Sequence, residues 1–175
     1  MESQGKVALI TGATGGLGKE FVKIHAEKGG NLVIVGRSQS KLDSLKEEIE
    51  KKYQVEVTTI AVDQSELDSS EKIYQEVISK GISVEYLINN AGLGGQGNFH
   101  ERTMDEDMNI ININIIALTK LTKLFLPVFV QRGHGKILNV SSTAASVPLQ
   151  AVYYASKAYV TSLSNAIWRE VFVLL

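Results

Sequence analysis

Short apolar runs alternate with longer amphipathic stretches along the whole chain. The apolar, β-branched runs are Val7–Ile10, Leu32–Val35, Val55–Val62, Tyr86–Ile88 and Lys136–Val140. The stretches with helical spacing run from about Leu17 to Lys28, Ser40 to Tyr53, Ser69 to Lys80, Met104 to Gln131 and Tyr153 to Glu170. Strands that alternate with helices form parallel sheets, and strands that are apolar throughout are covered by helices on both faces. We therefore expect an α/β fold with a doubly wound parallel sheet.

Length and composition exclude several classes of protein. The chain has 175 residues, which suits one domain over residues 1–175, and its 44% apolar and 21% charged residues are usual for globular proteins. The sequence has no cysteine, which rules out disulfides, thiolate zinc sites and a cysteine nucleophile. His25, His100 and His134 are too scattered to suggest a metal site. The net charge of −1 gives no sign of a nucleic-acid or membrane partner.

The N-terminal residues do not resemble a targeting segment. Met1–Lys6 leads almost directly into the first apolar run, without the basic start and longer apolar stretch of a signal peptide. Asn and Lys interrupt the strongly apolar regions before about 18 residues, so no transmembrane helix is expected. We expect a cytoplasmic protein.

The segment between the first strand and the first helix is rich in glycine. It reads Thr11-Gly12-Ala13-Thr14-Gly15-Gly16-Leu17-Gly18. Glycines let the backbone turn tightly and approach a pyrophosphate, whose charge a helix N-terminus stabilises. Because this segment follows a strand and opens a helix, we interpret it as a dinucleotide-binding turn rather than a generic one.

The spacing excludes a phosphate-binding loop of the NTPase type. That loop needs a glycine, four further residues and then Gly-Lys-Ser/Thr. Here Gly18-Lys19 has Ala13 in place of the first glycine and Glu20 in place of the hydroxyl residue. The sequence also lacks the Gly-x-Ser-x-Gly elbow of a serine hydrolase on a similar sheet.

Several motifs, in the same order, resemble the short-chain dehydrogenase/reductase family. They are Gly12-x-x-x-Gly16-x-Gly18, Asp63 after the third strand, Asn89-Asn90-Ala91-Gly92, Asn114, Ser141-Ser142 and Tyr153-x-x-x-Lys157. The resemblance spans essentially the whole chain. It implies a Rossmann-type fold and hydride transfer between a nicotinamide cofactor and a small carbonyl or alcohol substrate. The residues that we expect to bind the cofactor are Thr11, Gly12, Thr14, Gly16, Leu17, Gly18, Arg37, Ser38, Asp63, Gln64, Asn90, Ala91, Gly92, Tyr153 and Lys157.

The end of the second strand favours NADP(H) over NAD(H). An acid at this place binds the ribose 2′-hydroxyl of NAD, whereas an arginine accommodates the 2′-phosphate of NADP. The chain has Arg37 and Ser38 here, and its next acid is Asp43. A guanidinium is a planar fork that matches phosphate. Lys41 could assist Arg37 in binding the phosphate, but we interpret it as a charge on the surface of a helix.

Tyr153 and Lys157 are the first pair of predicted catalytic residues. Four residues apart on a predicted helix, they share one face. A free tyrosine has a pKa of about 10, and a neighbouring ammonium group favours its phenolate. The family resemblance implies that Tyr153 is the general acid/base and that Lys157 also holds the nicotinamide ribose.

Ser142 and Asn114 complete the predicted catalytic set. Ser142 is expected to donate a hydrogen bond to the substrate oxygen as charge develops there, with Ser141 as the competing assignment because only one can face the site. Asn114 is expected to bind a water of a proton relay. The alternatives are a structural asparagine at a helix kink and a shift of the role to Asn109 or Asn112.

The long helix predicted from Met104 to Gln131 carries two further expectations. Pro127 should bend it or begin its last turn. The apolar residues of this helix and of the helix from Tyr153 occupy more than one face, so that one sheet cannot bury them all. They include Ile110, Ile111, Ile113, Ile115 and Ile116. We therefore expect self-association into a homodimer or homotetramer.

Two departures from the family pattern concern the C-terminal part. The segment between Ser142 and Tyr153 is slightly shorter than in most relatives, and the β-rich stretch Val171–Leu175 follows Glu170 without turn residues. Family members continue with a further strand and a lid over the substrate pocket. Either the protein is truncated or stretches of a longer polypeptide are missing from the sequence, and we favour the second.

Three functions compete on this sequence. The first is an NADPH-dependent carbonyl reductase or alcohol dehydrogenase. The second is a catalytically silent dinucleotide-binding module that acts as a sensor or assembly partner. The missing lid over the substrate pocket is the reason to consider it. The third is a relative of the same fold that binds no cofactor, which the intact glycine turn disfavours.

Overall fold

A computed structural model describes residues 3–146 and 150–172, and its five strands lie close to the five predicted runs. The strands are β1 (Val7–Thr11), β2 (Asn31–Gly36), β3 (Val57–Ala61), β4 (Val84–Asn89) and β5 (Lys136–Asn139). All four strand pairings are parallel, and the order across the sheet is β3-β2-β1-β4-β5. The prediction of a doubly wound parallel sheet is confirmed.

Helices connect the strands and cover the sheet on both sides. They are α1 (Gly16–Glu27), α2 (Gln39–Tyr53), α3 (Ser69–Ser79), α4 (Met104–Ile111), α5 (Leu118–Arg132) and α6 (Ala151–Phe172). Because side chains alternate along a strand, β1 contributes Ala8 and Ile10 to the core under α1 and α2. Leu9 points the other way, into the core under α3 and α5.

The strand order creates a crevice at the carboxyl end of β1. β1 lies between β2 and β4, so the chain leaves the β3 edge and crosses to the other side of β1. Ligands of open α/β sheets bind where the strand order reverses in this way. The glycine turn after β1 and the Asn-Asn-Ala-Gly segment after β4 therefore lie side by side.

The predicted long helix is interrupted by a wider turn. A capping box between Thr103 and Glu106 begins α4. Asn112–Ala117 is a π-helical segment, and α5 then continues through Pro127 to Arg132. The sequence predicted an irregularity at Pro127, but the structure has it upstream, at Asn112–Ala117. Such single-turn π segments are frequent at functional sites.

By length and composition alone, the stretch Met104–Arg132 is long and apolar enough to cross a membrane. This corrects the expectation that Asn and Lys interrupt every apolar region before such a length. Core helices of soluble proteins pass the same test. Here α5 packs on the sheet through buried Leu121, Phe125 and Phe129.

The C-terminal helix is longer than predicted at both ends. α6 begins at Ala151, two residues before Tyr153, and continues through Val171 to Phe172. The β-rich character of Val171 and Phe172 is therefore overridden by helix continuation. The remainder of that stretch, residues 173–175, lies outside the described residues, as do residues 147–149 of the loop before α6.

Candidate active site

The glycine turn brings the backbone of β1 against the start of α1. Gly12 has a φ of +62°, a conformation that L side chains rarely adopt. A Cβ on Gly18 would lie 2.1 Å from the Gly12 carbonyl oxygen. Gly15 is the N-cap residue of α1 and, as a glycine, has no side chain to cap the helix. This glycine cradle at a helix N-terminus fits the pyrophosphate of a dinucleotide.

A hydrogen-bonded clamp fixes the glycine turn to the end of β4. The Asn90 amide nitrogen Nδ2 donates to the carbonyl oxygens of Thr11 (2.9 Å) and Gly12 (3.2 Å). The Thr11 hydroxyl accepts from the backbone N–H groups of Asn90 and Ala91, both at 3.0 Å. Thr11, predicted as a cofactor ligand, uses its side chain to build the site and does not line the cavity.

A cavity of about 360 Å³ opens over the glycine turn and the ends of β2, β3 and β4. Most predicted cofactor residues line it: Gly12, Thr14, Gly16, Leu17, Gly18, Arg37, Asp63, Gln64, Asn90, Ala91 and Gly92. Sequence reasoning missed Gly15, Gly36, Val62, Leu93 and Ile113, which also line it. Each of these is the direct neighbour of a predicted residue, so adjacency was the available signal. Ser38 is instead the N-cap of α2, where its hydroxyl accepts from the Lys41 N–H (3.5 Å).

A positive and a negative side chain face this cavity at its β2–β3 end. The Asp63 carboxylate accepts from the Ser65 backbone N–H (2.9 Å) and hydroxyl (2.8 Å). These bonds, and then the positive charge of Arg37, hold the pKa of Asp63 below its ordinary value against the opposing effect of burial. The carboxylate is therefore ionised at neutral pH beside the guanidinium.

Lys157 is buried at the opposite end of the cavity. It is 5% exposed, and its ammonium donates to the Val140 carbonyl oxygen at 3.0 Å. The same nitrogen lies 5.9 Å from the centroid of the Tyr153 ring and 3.4 Å from the place of a Cβ on Gly92, a cavity-lining residue. Burial lowers the pKa of Lys157. Lys157 of the predicted Tyr-Lys pair thus lies behind Gly92 in the cavity wall, but neither Tyr153 nor Lys157 lines the cavity itself.

Asn114 links the loop after β4 to α6 from within the π-helical segment. Its Oδ1 accepts from the Leu93 N–H (2.8 Å), and its Nδ2 donates to the Leu93 carbonyl (3.0 Å) and to the Ser156 hydroxyl (2.9 Å). Ser156 in turn donates to the Tyr153 carbonyl (2.6 Å). Asn112 donates elsewhere, to the Ser65 carbonyl (3.1 Å). These bonds give Asn114 a structural role, and its water-binding role stays a prediction.

The two serines after β5 have different surroundings. The Ser141 hydroxyl donates to the Lys157 carbonyl (2.9 Å) and lies 2.8 Å from the Thr161 hydroxyl, so it is directed at α6. The Ser141 hydroxyl is therefore engaged with α6, and the assignment of the catalytic role to Ser142 stays a prediction. Within the described residues, no group of three histidine or acidic side chains gathers as metal ligands would.

Comparison with known proteins gives the family. The family model described as short chain dehydrogenase matches residues 6–172. The very-long-chain 3-oxoacyl-CoA reductase of Bos taurus is 36% identical over 95% of this chain, and that of Neurospora crassa is 40% identical over 95%. A short-chain dehydrogenase from Sphingobium yanoikuyae, solved in complex with NADPH, superposes on this chain with a TM-score of 0.91 at 30% identity. The match covers 97% of this chain and 66% of the Sphingobium chain.

The chain belongs to the short-chain dehydrogenase family of oxidoreductases. It spans about half the length of the curated relatives that it matches, 54% of the bovine and 52% of the Neurospora protein.

Proposed function

We propose that the protein reduces a carbonyl group to an alcohol with NADPH, using Tyr153 as the acid. The observation that carries this proposal is the position of Lys157. Its buried ammonium lies 5.9 Å from the centroid of the Tyr153 ring and close to Gly92, which lines the dinucleotide cavity. A charge is kept in such a place only where it is paired or functional.

In the proposed reaction, Tyr153, Lys157 and Ser142 each have a separate role. When bound, the cofactor supplies the hydride. Tyr153 donates its phenolic proton to the carbonyl oxygen, and the Lys157 ammonium stabilises the phenolate that remains. The Ser142 hydroxyl donates a hydrogen bond to the same oxygen as negative charge develops there. The Val140 carbonyl and the packing around Lys157 hold the ammonium in place.

The preference for NADP(H) is part of the proposal. Arg37 lines the cavity beyond β2 and offers a guanidinium to a ribose 2′-phosphate. The NADPH complex of the Sphingobium relative supports a nicotinamide dinucleotide in a fold of this shape. Asp63 and the glycine turn would hold the adenosine and pyrophosphate parts.

The first substrates to test are 3-oxoacyl thioesters. Relatives at 36–40% identity are very-long-chain 3-oxoacyl-CoA reductases, which supports a carbonyl on an acyl chain as the substrate class. Ketones, aldehydes and quinones complete the panel, because the site as described specifies a carbonyl oxygen and not its substituents.

Tyr153→Phe tests the mechanism because it removes only the phenol oxygen and keeps the ring. We expect kcat to fall by at least about 100-fold, since a positioned acid contributes roughly 10²–10⁴-fold. NADPH affinity, followed by fluorescence, should stay within about twofold because the glycine turn binds through backbone groups.

Tyr154→Phe is the matched control. Tyr154 is the next residue of α6, and its ring contacts that of Tyr153 at 5.7 Å between centroids. The control should keep its activity. A Tyr153→Phe enzyme within a few-fold of wild type would contradict the mechanism. NADPH binding without reduction of any substrate by the wild type would instead support a silent binding module.

A further inference from the structure

An ion pair that the proposed chemistry does not use lies beside the site. The Arg102 Nε donates to the Asp107 carboxylate at 2.6 Å, and the two side chains are only 14% and 10% exposed. The start of α4 does not need this pair, because Thr103 and Glu106 already form the capping box there. The contacts of Arg102 point instead to the loop that follows β4.

Arg102 contacts the backbone of that loop at two residues. Its Nη1 donates to the Gln96 carbonyl oxygen at 2.8 Å. The backbone at Gly95 lies so close that a Cβ there would be 2.9 Å from the guanidinium carbon and 2.8 Å from Ile110 Cδ1. The guanidinium is therefore enclosed by Asp107 on one side and by the loop backbone on the other.

The same loop is fixed at its other end inside the site. Asn114 holds both the N–H and the carbonyl of Leu93. Leu93 and Gly92 line the dinucleotide cavity, and Gly92 lies against Lys157. The loop of residues 93–97 is thus hydrogen-bonded near both ends. Leu93 is bonded to Asn114 near Lys157, and Gln96 is bonded to Arg102.

We propose that Arg102, oriented by Asp107, is a positioning residue that fixes residues 93–97 as a wall of the entrance for the carbonyl substrate. This inference rests on the proposed function of the same site. Arg102 acts through Gln96 and Gly95 and does not contact the reacting atoms. Its loss leaves the Tyr153–Lys157 pair and the glycine turn in place, so it weakens substrate capture rather than the chemical step.

Two variants disturb the wall by independent routes. Arg102→Met removes the charge and both hydrogen bonds, whereas Gly95→Ala keeps the ion pair and inserts a methyl group between the loop and the guanidinium. The matched control is Arg132→Met. Arg132 forms an ion pair of similar burial with Glu85, 19% and 17% exposed, but it donates to Ser83 and Val84 at the amino end of β4.

The first measurement needs no substrate. Hydrogen–deuterium exchange of residues 93–97 in the full chain should rise about tenfold in Arg102→Met and Gly95→Ala, because exchange reports local opening. It should be unchanged in Arg132→Met. In steady-state assays with NADPH and the best carbonyl substrate, KM should rise about tenfold in both loop variants while kcat stays within about twofold.

Unchanged exchange in residues 93–97 of Gly95→Ala would overturn the inference, even if Arg102→Met fails to fold. A KM increase in Arg132→Met equal to that in the loop variants would also overturn it, since the effect would then be general destabilisation. If the wild type reduces no carbonyl, the proposed function fails. The exchange result then still decides whether Arg102 positions the loop.

Discussion

Arg37 is the side chain on which the expected choice of cofactor depends. A charge-assisted hydrogen bond is worth about 1.5–3 kcal/mol, so the guanidinium should favour NADPH over NADH by roughly ten- to a hundredfold in Kd. Arg37→Asp should erase or invert this preference. Titration calorimetry with both cofactors measures it, and Lys41→Ala, an exposed change on α2, is the control. Tighter binding of NADH by the wild type would contradict the assignment.

Lys157 makes the stability of the protein depend on pH in a defined direction. Burial lowers its pKa from 10.5, so between the lowered value and 10.5 the unfolded state binds more protons than the folded state. Stability therefore rises with pH across that window. Below it, both states are protonated and the full cost of burying the charge applies.

Lys157→Met removes this dependence. The free energy of unfolding of the wild type, relative to that of the variant, should increase as pH rises from 7 towards 11. Urea unfolding followed by circular dichroism measures both proteins, with the exposed Lys51→Met as a control for the loss of one charge. A flat difference, or one that falls with pH, would show that the buried ammonium carries no such cost.

At the scale of elements, hydrophobic periodicity predicted the five strands and the α-helices of the described residues, with α4 and α5 as one helix, but not the irregular segments. β-Branched runs such as Leu32–Val35 fix a strand because they are buried on both faces. The apolar pattern gives no signal for the π-helical turn at Asn112–Ala117, and Asn114 within it is bonded to partners distant in sequence, Leu93 and Ser156. In the same way, the motif spacing located Arg37 and Lys157, whereas the Arg102–Gly95 contact depends on how a loop folds.

The ends of α2 and α5 give a matched pair of stability predictions. Gln54 caps α2 with a φ of 56°, and Gly133 caps α5 with a φ of 71°. A side chain in this left-handed conformation costs about 1 kcal/mol relative to glycine. Gln54→Gly should therefore raise the free energy of unfolding by roughly 0.5–1 kcal/mol.

Gly133→Ala should lower it by a similar amount, because a Cβ there meets no atom within 4 Å and the effect is confined to the backbone. Urea denaturation of both variants tests the pair. Equal signs for the two changes would contradict the argument.

At the scale of the whole molecule, the outer faces of the helical segments from α4 to α6 suggest self-association. Thr119 of α5 and Tyr159 of α6 lie 3.0 Å apart through their hydroxyl oxygens and join the two helices at the surface. Met108 on α4 is exposed, and Ile115 and Ile116 are half-buried. These helices cannot bury all their apolar residues against one sheet, so we predict a homodimer or homotetramer.

Light scattering at micromolar concentration should give a mass of two or four chains. Tyr159→Lys should shift it towards one chain, because a charge in an apolar interface is costly. Leu67→Lys removes an exposed apolar residue between β3 and α3, and it should leave the mass unchanged. A stable wild-type monomer would contradict the prediction.

The position of β1 between β2 and β4 also governs when the site can come into existence during synthesis. The glycine turn emerges from the ribosome well before the partner of its clamp, because Asn90 follows Thr11 by 79 residues. Helices α1 and α2 depend on near neighbours and need no such wait, whereas parallel pairing across this distance is slow. The nascent chain therefore carries a complete dinucleotide motif well before it has anything to close around a dinucleotide.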